Sequence, residues 1–341
     1  MNYRPLGTTG VSVSPLALGT VSLGSWANPD RDHAIRVVHR AIDAGINLID
    51  TADAYCLGDS EEVVGRALAG GKRDDVILAT KFYFPMSDAP NERGISRRWI
   101  MQTVEGSLRR LRTDWIDLYQ VHRLDPETDI DETLAALSDL VHAGKVRYVG
   151  SSTFAAHKIV EAQWVAERPG RERFVTEQPP YSLLVRGIEA EILQVCEQYR
   201  LGVITWSPLC GGWLTGGYRK GQAPPPSSRG ERLSELYDLS LPANQRKLDA
   251  ADALATLAEE AGLSLIHMAL GFVTAHPAVT AAIIGPRTMD QLESQLGALE
   301  VSLDAELLDR IDEIVQPGTT LNPADAGYES PALTDSTLRR R

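Results

Sequence analysis

Cysteine is scarce in this chain of 341 residues: Cys56, Cys196 and Cys210 are the only three. They are too few and too scattered for a disulfide framework or a metal knuckle, which points to a reducing compartment. Long apolar runs are missing too, none approaching the roughly 20 residues that span a bilayer. The opening Met1-Asn2-Tyr3-Arg4 lacks the apolar core of a signal peptide. Basic charge is in deficit, with 34 Lys and Arg against 46 Asp and Glu and a net charge of −12. Nucleic-acid binding needs a basic face, so that class is set aside. No repeat or low-complexity tract occurs, and no G-x-G-x-x-G opens a helix after a strand, which argues against a doubly wound dinucleotide-binding fold. What remains is ordinary globular composition, 43% hydrophobic and 23% charged, in a chain long enough to bury a large core without staples. The expectation is a soluble, cytoplasmic protein with no metal site, no membrane partner and no nucleic-acid partner.

Short apolar runs at 16–20, 46–50, 76–80, 116–121, 146–151, 174–178, 203–207 and 281–285 alternate with stretches of helical period at 30–44, 61–69, 96–111, 132–143, 155–166, 188–199 and 289–295. Several runs are apolar throughout, as strands buried on both faces are. Gly45, Gly144 and Gly202 follow helical patterns where a left-handed cap is expected. Eight strands, each followed by a helix, predict an α/β protein with the architecture of a (β/α)8 TIM barrel, carrying an N-terminal hairpin and occupying residues 1–316 as one domain. A long loop at 209–245 follows the seventh strand and reads as a lid or binding loop. Helices at 248–261 and 264–273 come next, and 304–315 reads as an added outer helix. The tail, 317–341, either covers a cleft or is disordered.

Reactive groups in such a barrel gather where strands end at the C-terminal face. The second strand ends in Asp50, with Tyr55 five positions on in Asp50-Thr51-Ala52-Asp53-Ala54-Tyr55. The third ends in Ala79-Thr80-Lys81 and the fourth in Val121-His122-Arg123. Singly, each has an ordinary reading: Asp50 as a cap, Lys81 as a surface lysine, His122 as a packed histidine, Tyr55 as rim packing. Their joint occurrence at three successive strand ends does not. A tyrosine hydroxyl is a weak acid, with a pKa near 10; a neighbouring ammonium favours its phenolate, and a carboxylate keeps that ammonium charged. With a histidine to orient a carbonyl, the set makes a general acid poised over a carbonyl oxygen.

From Tyr3-Arg4-Pro5-Leu6-Gly7 to the last outer helix, the chain resembles the aldo-keto reductase superfamily, in the branch of bacterial reductases and potassium-channel β-subunits. Asp50, Tyr55, Lys81 and His122 match that family's tetrad in order and spacing. The resemblance implies reduction of an aldehyde or ketone with NADPH/NADP+ (NADH as the alternative), hydride coming from nicotinamide C4 and the proton from Tyr55. It also implies the cofactor contacts. Ser152, Thr153 and Gln178 match positions that hold the carboxamide, and Trp206 the ring that stacks on nicotinamide. Gly19, Thr20 and Asp50 are further cofactor contacts, and Ser207, Leu209 and Gly211 line the pyrophosphate. Gly285, Arg287, Gln291 and Gln295 receive the adenosine phosphate end, with Arg229 closing over it. The chain departs from the family pattern in having Gly217 where a lysine is common, and Ser294 and Gln295 where Glu-Asn is common.

Substrate contacts are expected from loops around the tetrad: Trp26, Tyr55, Phe82, Phe84, His122 and Arg123; Tyr328 and Pro331 either cover the cleft or belong to a disordered tail. The aromatic residues suggest an apolar mouth for a small carbonyl compound. Two other readings stand beside reduction. One is a cofactor-binding regulatory subunit with little turnover; the other is a Schiff-base aldolase using Lys81 as nucleophile. The oligomeric state is left open.

Overall fold

The structure is a computed structural model that describes residues 1–26, 30–225, 230, 233–330, 333 and 335–338. Two short strands, β1 (Arg4–Pro5) and β2 (Ser12–Val13), pair antiparallel as a hairpin. Eight parallel strands then close a barrel: β3 (Leu16–Gly19), β4 (Leu48–Asp50), β5 (Ile77–Phe82), β6 (Ile116–Val121), β7 (Val146–Ser152), β8 (Phe174–Gln178), β9 (Gly202–Thr205) and β10 (Val279–Ile284). Each pairs with its neighbour in chain order, and β10 closes on β3. The TIM-barrel expectation is met.

The outer layer holds α1 (Arg31–Asp43), α2 (Asp59–Ala67), α3 (Arg97–Leu111), α4 (Ile130–His142), α5 (Ala156–Val165), α6 (Ile192–Tyr199), α7 (Pro242–Glu260), α8 (Leu265–Ala275), α9 (Met289–Leu296) and α10 (Ala305–Ile314). Short polar side chains start many of them. Asp30, Ser96, Asp129, Ser264, Thr288 and Asp304 each accept a hydrogen bond from a backbone N–H of the first helical turn, which satisfies a donor the helix itself cannot. No single helix among the described residues is long and apolar enough to cross a membrane.

Strand alternation divides the core in two. Outward residues such as Leu18, Ile49, Tyr119 and Val203 pack under the helices. Inward ones form a separate cluster of Ala17, Leu48, Ala79, Leu118, Ile204 and Ala281, small alternating with large. Leu6 and Val13 of the hairpin are completely buried in that cluster and plug its N-terminal end. Two glycines let the plug seat. A Cβ on Gly7, whose φ is +56°, would come within 2.6 Å of the Val175 carbonyl oxygen, and one on Gly202 within 2.9 Å of the Gly7 nitrogen. Gly202 is therefore not the cap expected of it; Arg200, at φ 54°, closes α6 instead. With the hairpin in the base, the C-terminal mouth is the end of the barrel left, among the described residues, to build a site.

Candidate active site

Continuing up the barrel interior, the alternation that places Leu48, Ala79 and Leu118 inside puts Asp50, Lys81 and Gln120 in the next layer. Asp50 and Lys81 are essentially inaccessible to solvent and form an ion pair. The Lys81 ammonium also donates to the Thr51 carbonyl at 2.9 Å and to the Tyr55 hydroxyl at 3.4 Å. Asp50 Oδ2 accepts from Gln178 Nε2 at 2.8 Å and from Gln120 Nε2 at 3.3 Å, so both its oxygens are engaged. Burial pushes the Lys81 pKa down, but the charge of Asp50 and the hydrogen bonds of Asp50 and Tyr55 outweigh it, leaving the value above that of an ordinary lysine. A lysine held protonated in this way is unsuited to nucleophilic attack, which argues against the aldolase reading.

Tyr55 stands above this pair, its ring 5.8 Å from that of His122 in an edge-on arrangement. Burial, then the charges of Lys81 and Arg123, hold the His122 pKa well below the ordinary histidine value, so the ring is neutral. Its Nδ1 is buried without a partner. The backbone is strained just here: Cys56 and Leu57, directly after Tyr55, both take left-handed φ, of 52° and 53°. Thr153, Ser207 and Cys210, on loops leaving the fifth and seventh strands, do the same. Strain of this kind collects at sites that the surrounding structure over-determines.

A cleft of about 620 Å³ runs from Phe84 and Arg123 past Tyr55 and His122 to α9. Gly19, Thr20, Asp50, Ser152, Gln178, Trp206, Ser207, Leu209, Gly211, Gly285, Arg287, Gln291 and Gln295, all expected along a cofactor, line it. Lys81 does not; it lies behind Tyr55 and Asp50, bonded to both. Thr153 is buried and its hydroxyl accepts from Trp206 Nε1 at 3.3 Å and Arg123 Nη1 at 3.1 Å, so it braces two lining residues. Arg229 and Pro331 lie outside the described residues.

Two substrate expectations are corrected. Phe82 is fully buried and packs on Tyr119, ring centroids 4.7 Å apart. Strand β5 runs on through it, and the residue after an inward Lys81 must point outward. Trp26 is 53% exposed and does not line the cleft. Gln120 was missed; its signal was its place on β6, two residues past inward Leu118 and two before His122.

The tail folds back over the mouth. Leu321 N–H donates to the Leu184 carbonyl at 3.1 Å, and Asn322 Nδ2 to Asn244 Oδ1 at 2.8 Å. Asp325 pairs with fully buried Lys247 at 2.7 Å. A Cβ on Gly327 would lie 2.7 Å from Trp206 Cζ2, so the tail touches the indole that lines the cleft.

The profile of the aldo/keto reductase family matches residues 15–316, which takes in every barrel strand and the whole cleft. The chain is 41% identical to an uncharacterized oxidoreductase, YrpG, of Bacillus subtilis (strain 168), over 92% of this chain and 96% of that one. It is 35% identical to a probable voltage-gated potassium channel subunit beta of Oryza sativa subsp. japonica, covering 93% and 97%. A versiconal hemiacetal acetate reductase of Aspergillus parasiticus is 32% identical, covering 93% and 98%. With the barrel, the plugged base and the Asp50–Lys81–Tyr55–His122 cluster, these matches lead to one conclusion: the chain is an oxidoreductase that belongs to the aldo/keto reductase family.

Proposed function

We propose that the protein reduces an aldehyde or ketone to an alcohol with NADPH, and that Tyr55 supplies the proton. The observation that carries this reading is the Tyr55 hydroxyl, set between a protonated Lys81 and a neutral His122 at the wall of a long cleft.

The cleft's donor and acceptor set suits a nicotinamide dinucleotide. Gln295 lines its far end with Oε1 buried and partnerless, an acceptor for an amino group such as that of adenine. Arg287, next to the start of α9, and Gln291 suit a phosphate on the ribose and favour NADPH over NADH. Gly285 has open space where a Cβ would stand, leaving its backbone approachable. Nearer the tetrad, Ser152 offers a hydroxyl, and Gln178, its nitrogen committed to Asp50, offers its carbonyl oxygen to a carboxamide N–H. Trp206 provides the flat wall. When bound, the cofactor supplies hydride from its nicotinamide C4.

This chain's residues do the rest. Neutral His122 donates one N–H to the substrate carbonyl and orients it. Tyr55 gives its proton to the oxygen as negative charge develops there. Lys81 stabilises the phenoxide left behind, and Asp50 keeps Lys81 charged and in place, itself held by Gln120 and Gln178.

Initial rates of NADPH oxidation with aromatic and aliphatic aldehydes test this directly. Tyr55→Phe is expected to lose roughly 10²- to 10⁴-fold in turnover while still quenching tryptophan fluorescence on binding NADPH. Full turnover in Tyr55→Phe would remove Tyr55 as the acid. Tight NADPH binding with no turnover on any aldehyde would favour a regulatory subunit, as in the relative named for a potassium channel.

A further inference from the structure

We infer, resting on the reductase reading above, that the substrate carries a carboxylate a few atoms from its carbonyl, and that Arg123 selects it. Arg123 is half-buried at the tetrad end of the cleft. Its guanidinium carbon lies 5.7 Å from the Phe84 ring and 5.7 Å from the Trp206 ring. Nη1 is spent on the His122 carbonyl at 2.6 Å and on Thr153 Oγ1 at 3.1 Å. Those bonds, with the two rings, fix the plane of the fork.

What the guanidinium lacks is a counter-ion. Arg73 and Arg110, also half-buried, pair with Asp117 and Glu61. Among the described residues no carboxylate lies within ion-pair distance of Arg123. Glu177, whose charge Arg123 feels, is committed to Ser151 Oγ and the Phe154 N–H. A cation partly removed from water and unpaired is costly, and an anionic ligand relieves that cost.

Nη2 and Nε make no hydrogen bond among the described residues. The tail comes close to that side at Gly327, where a Cβ would lie 3.4 Å from Nη2 and a glycine adds no side chain. A planar fork of this kind matches a carboxylate in two-point contact. A phosphate seeks more than one cation, and the other arginine lining the cleft, Arg287, stands at the far end beside α9. Flanking Phe84 and Trp206 favour a flat, aromatic or unsaturated linker between carbonyl and carboxylate.

The test compares 4-formylbenzoate with its neutral methyl ester. The wild type should prefer the acid in kcat/KM by roughly 10- to 100-fold, the range set by a charge-assisted hydrogen-bonded pair, mostly through KM. Arg123→Met should bring the acid-to-ester ratio to about one, and Arg123→Lys should keep part of the preference. Calorimetry supplies a readout without turnover: benzoate binds the wild type, benzamide binds more weakly, and Arg123→Met abolishes the difference. No acid preference in the wild type, or a ratio unmoved in Arg123→Met, overturns the proposal. So does inorganic phosphate displacing benzoate at lower concentration than benzoate itself binds. If Arg123→Met does not fold, the wild-type acid-to-ester ratio and the Arg123→Lys titration decide. Absence of turnover on both esters and acids, with Arg123-dependent benzoate binding intact, would remove the reductase reading and leave the carboxylate site standing; loss of both would remove each.

Discussion

Lys81, proposed above as part of the proton-donating group, is also half of a buried ion pair. Read only from its chemistry, Lys81→Met should slow proton transfer and leave the fold intact. The structure sharpens that, because Lys81 and Asp50 form a buried pair and removing one charge strands the other. Urea titration of Lys81→Met should show a loss of about 3 kcal/mol, and adding Asp50→Asn should recover part of it. A second pair of residues makes stability depend on pH. Burial raises the Glu177 carboxyl to about 7, and burial with the charge of Glu61 raises Asp53 to about 7. Between the ordinary carboxylate range and 7 the folded state binds more protons than the unfolded chain, so stability contributed by these groups is present at acid pH and lost as pH rises through 7. Melting curves of Glu177→Gln should therefore show a gain of roughly 3 °C or more at pH 8 and little change at pH 5. A gain confined to pH 5 would contradict the burial argument. The tetrad was legible in the sequence because titratable residues are conspicuous at the ends of apolar strands. Gln120 was not, since an amide carries no such contrast and only its inward register marks it.

Strand boundaries decided which single-residue readings failed. Ending the third strand at Thr80 leaves Phe82 on a loop facing the cleft; β5 in fact runs through Phe82, and alternation turns it outward onto Tyr119. The same kind of error made Gly202 a helix cap, when its lack of a side chain serves the seating of the hairpin under the barrel. Contacts between residues 7 and 202 leave no periodic trace in a linear pattern. Gly7→Ala meets both a left-handed φ and the Val175 carbonyl, so thermal melting should drop by the equivalent of about 1–3 kcal/mol with the cleft's chemistry unaltered. A melting temperature equal to that of the wild type would show that the hairpin yields without cost. The loop after the seventh strand is shorter than expected, since α7 already begins at Pro242; a proline at the first helical turn is compatible with a start there.

Across the fold, eight strands and their order followed from hydrophobic period, glycine punctuation and the lack of a glycine-rich first turn, and the mouth from the general rule for such barrels, whereas the path of the tail did not. Its polar composition read equally as a cover or as disorder. What holds it is tertiary: the Lys247–Asp325 ion pair, the Asn322–Asn244 bond and the Gly327 contact with Trp206. Lys247 also lies 4.5 Å from the ring of Trp213, on the loop that leaves the seventh strand, so the tail and that loop share one buried cation. Lys247→Met should therefore raise KM for the aldehyde and speed hydrogen exchange at 319–327 together; unchanged exchange there would show that the ion pair does not anchor the tail. The central claim, hydride transfer to a carbonyl in this cleft, is tested most directly with NADPH carrying deuterium at both C4 positions of the nicotinamide and with 4-formylbenzoate. Mass spectrometry of the alcohol should find one deuterium on the former carbonyl carbon in the wild type and almost no product with Tyr55→Phe. Alcohol formed without deuterium, or cofactor bound but never oxidised, would contradict the account.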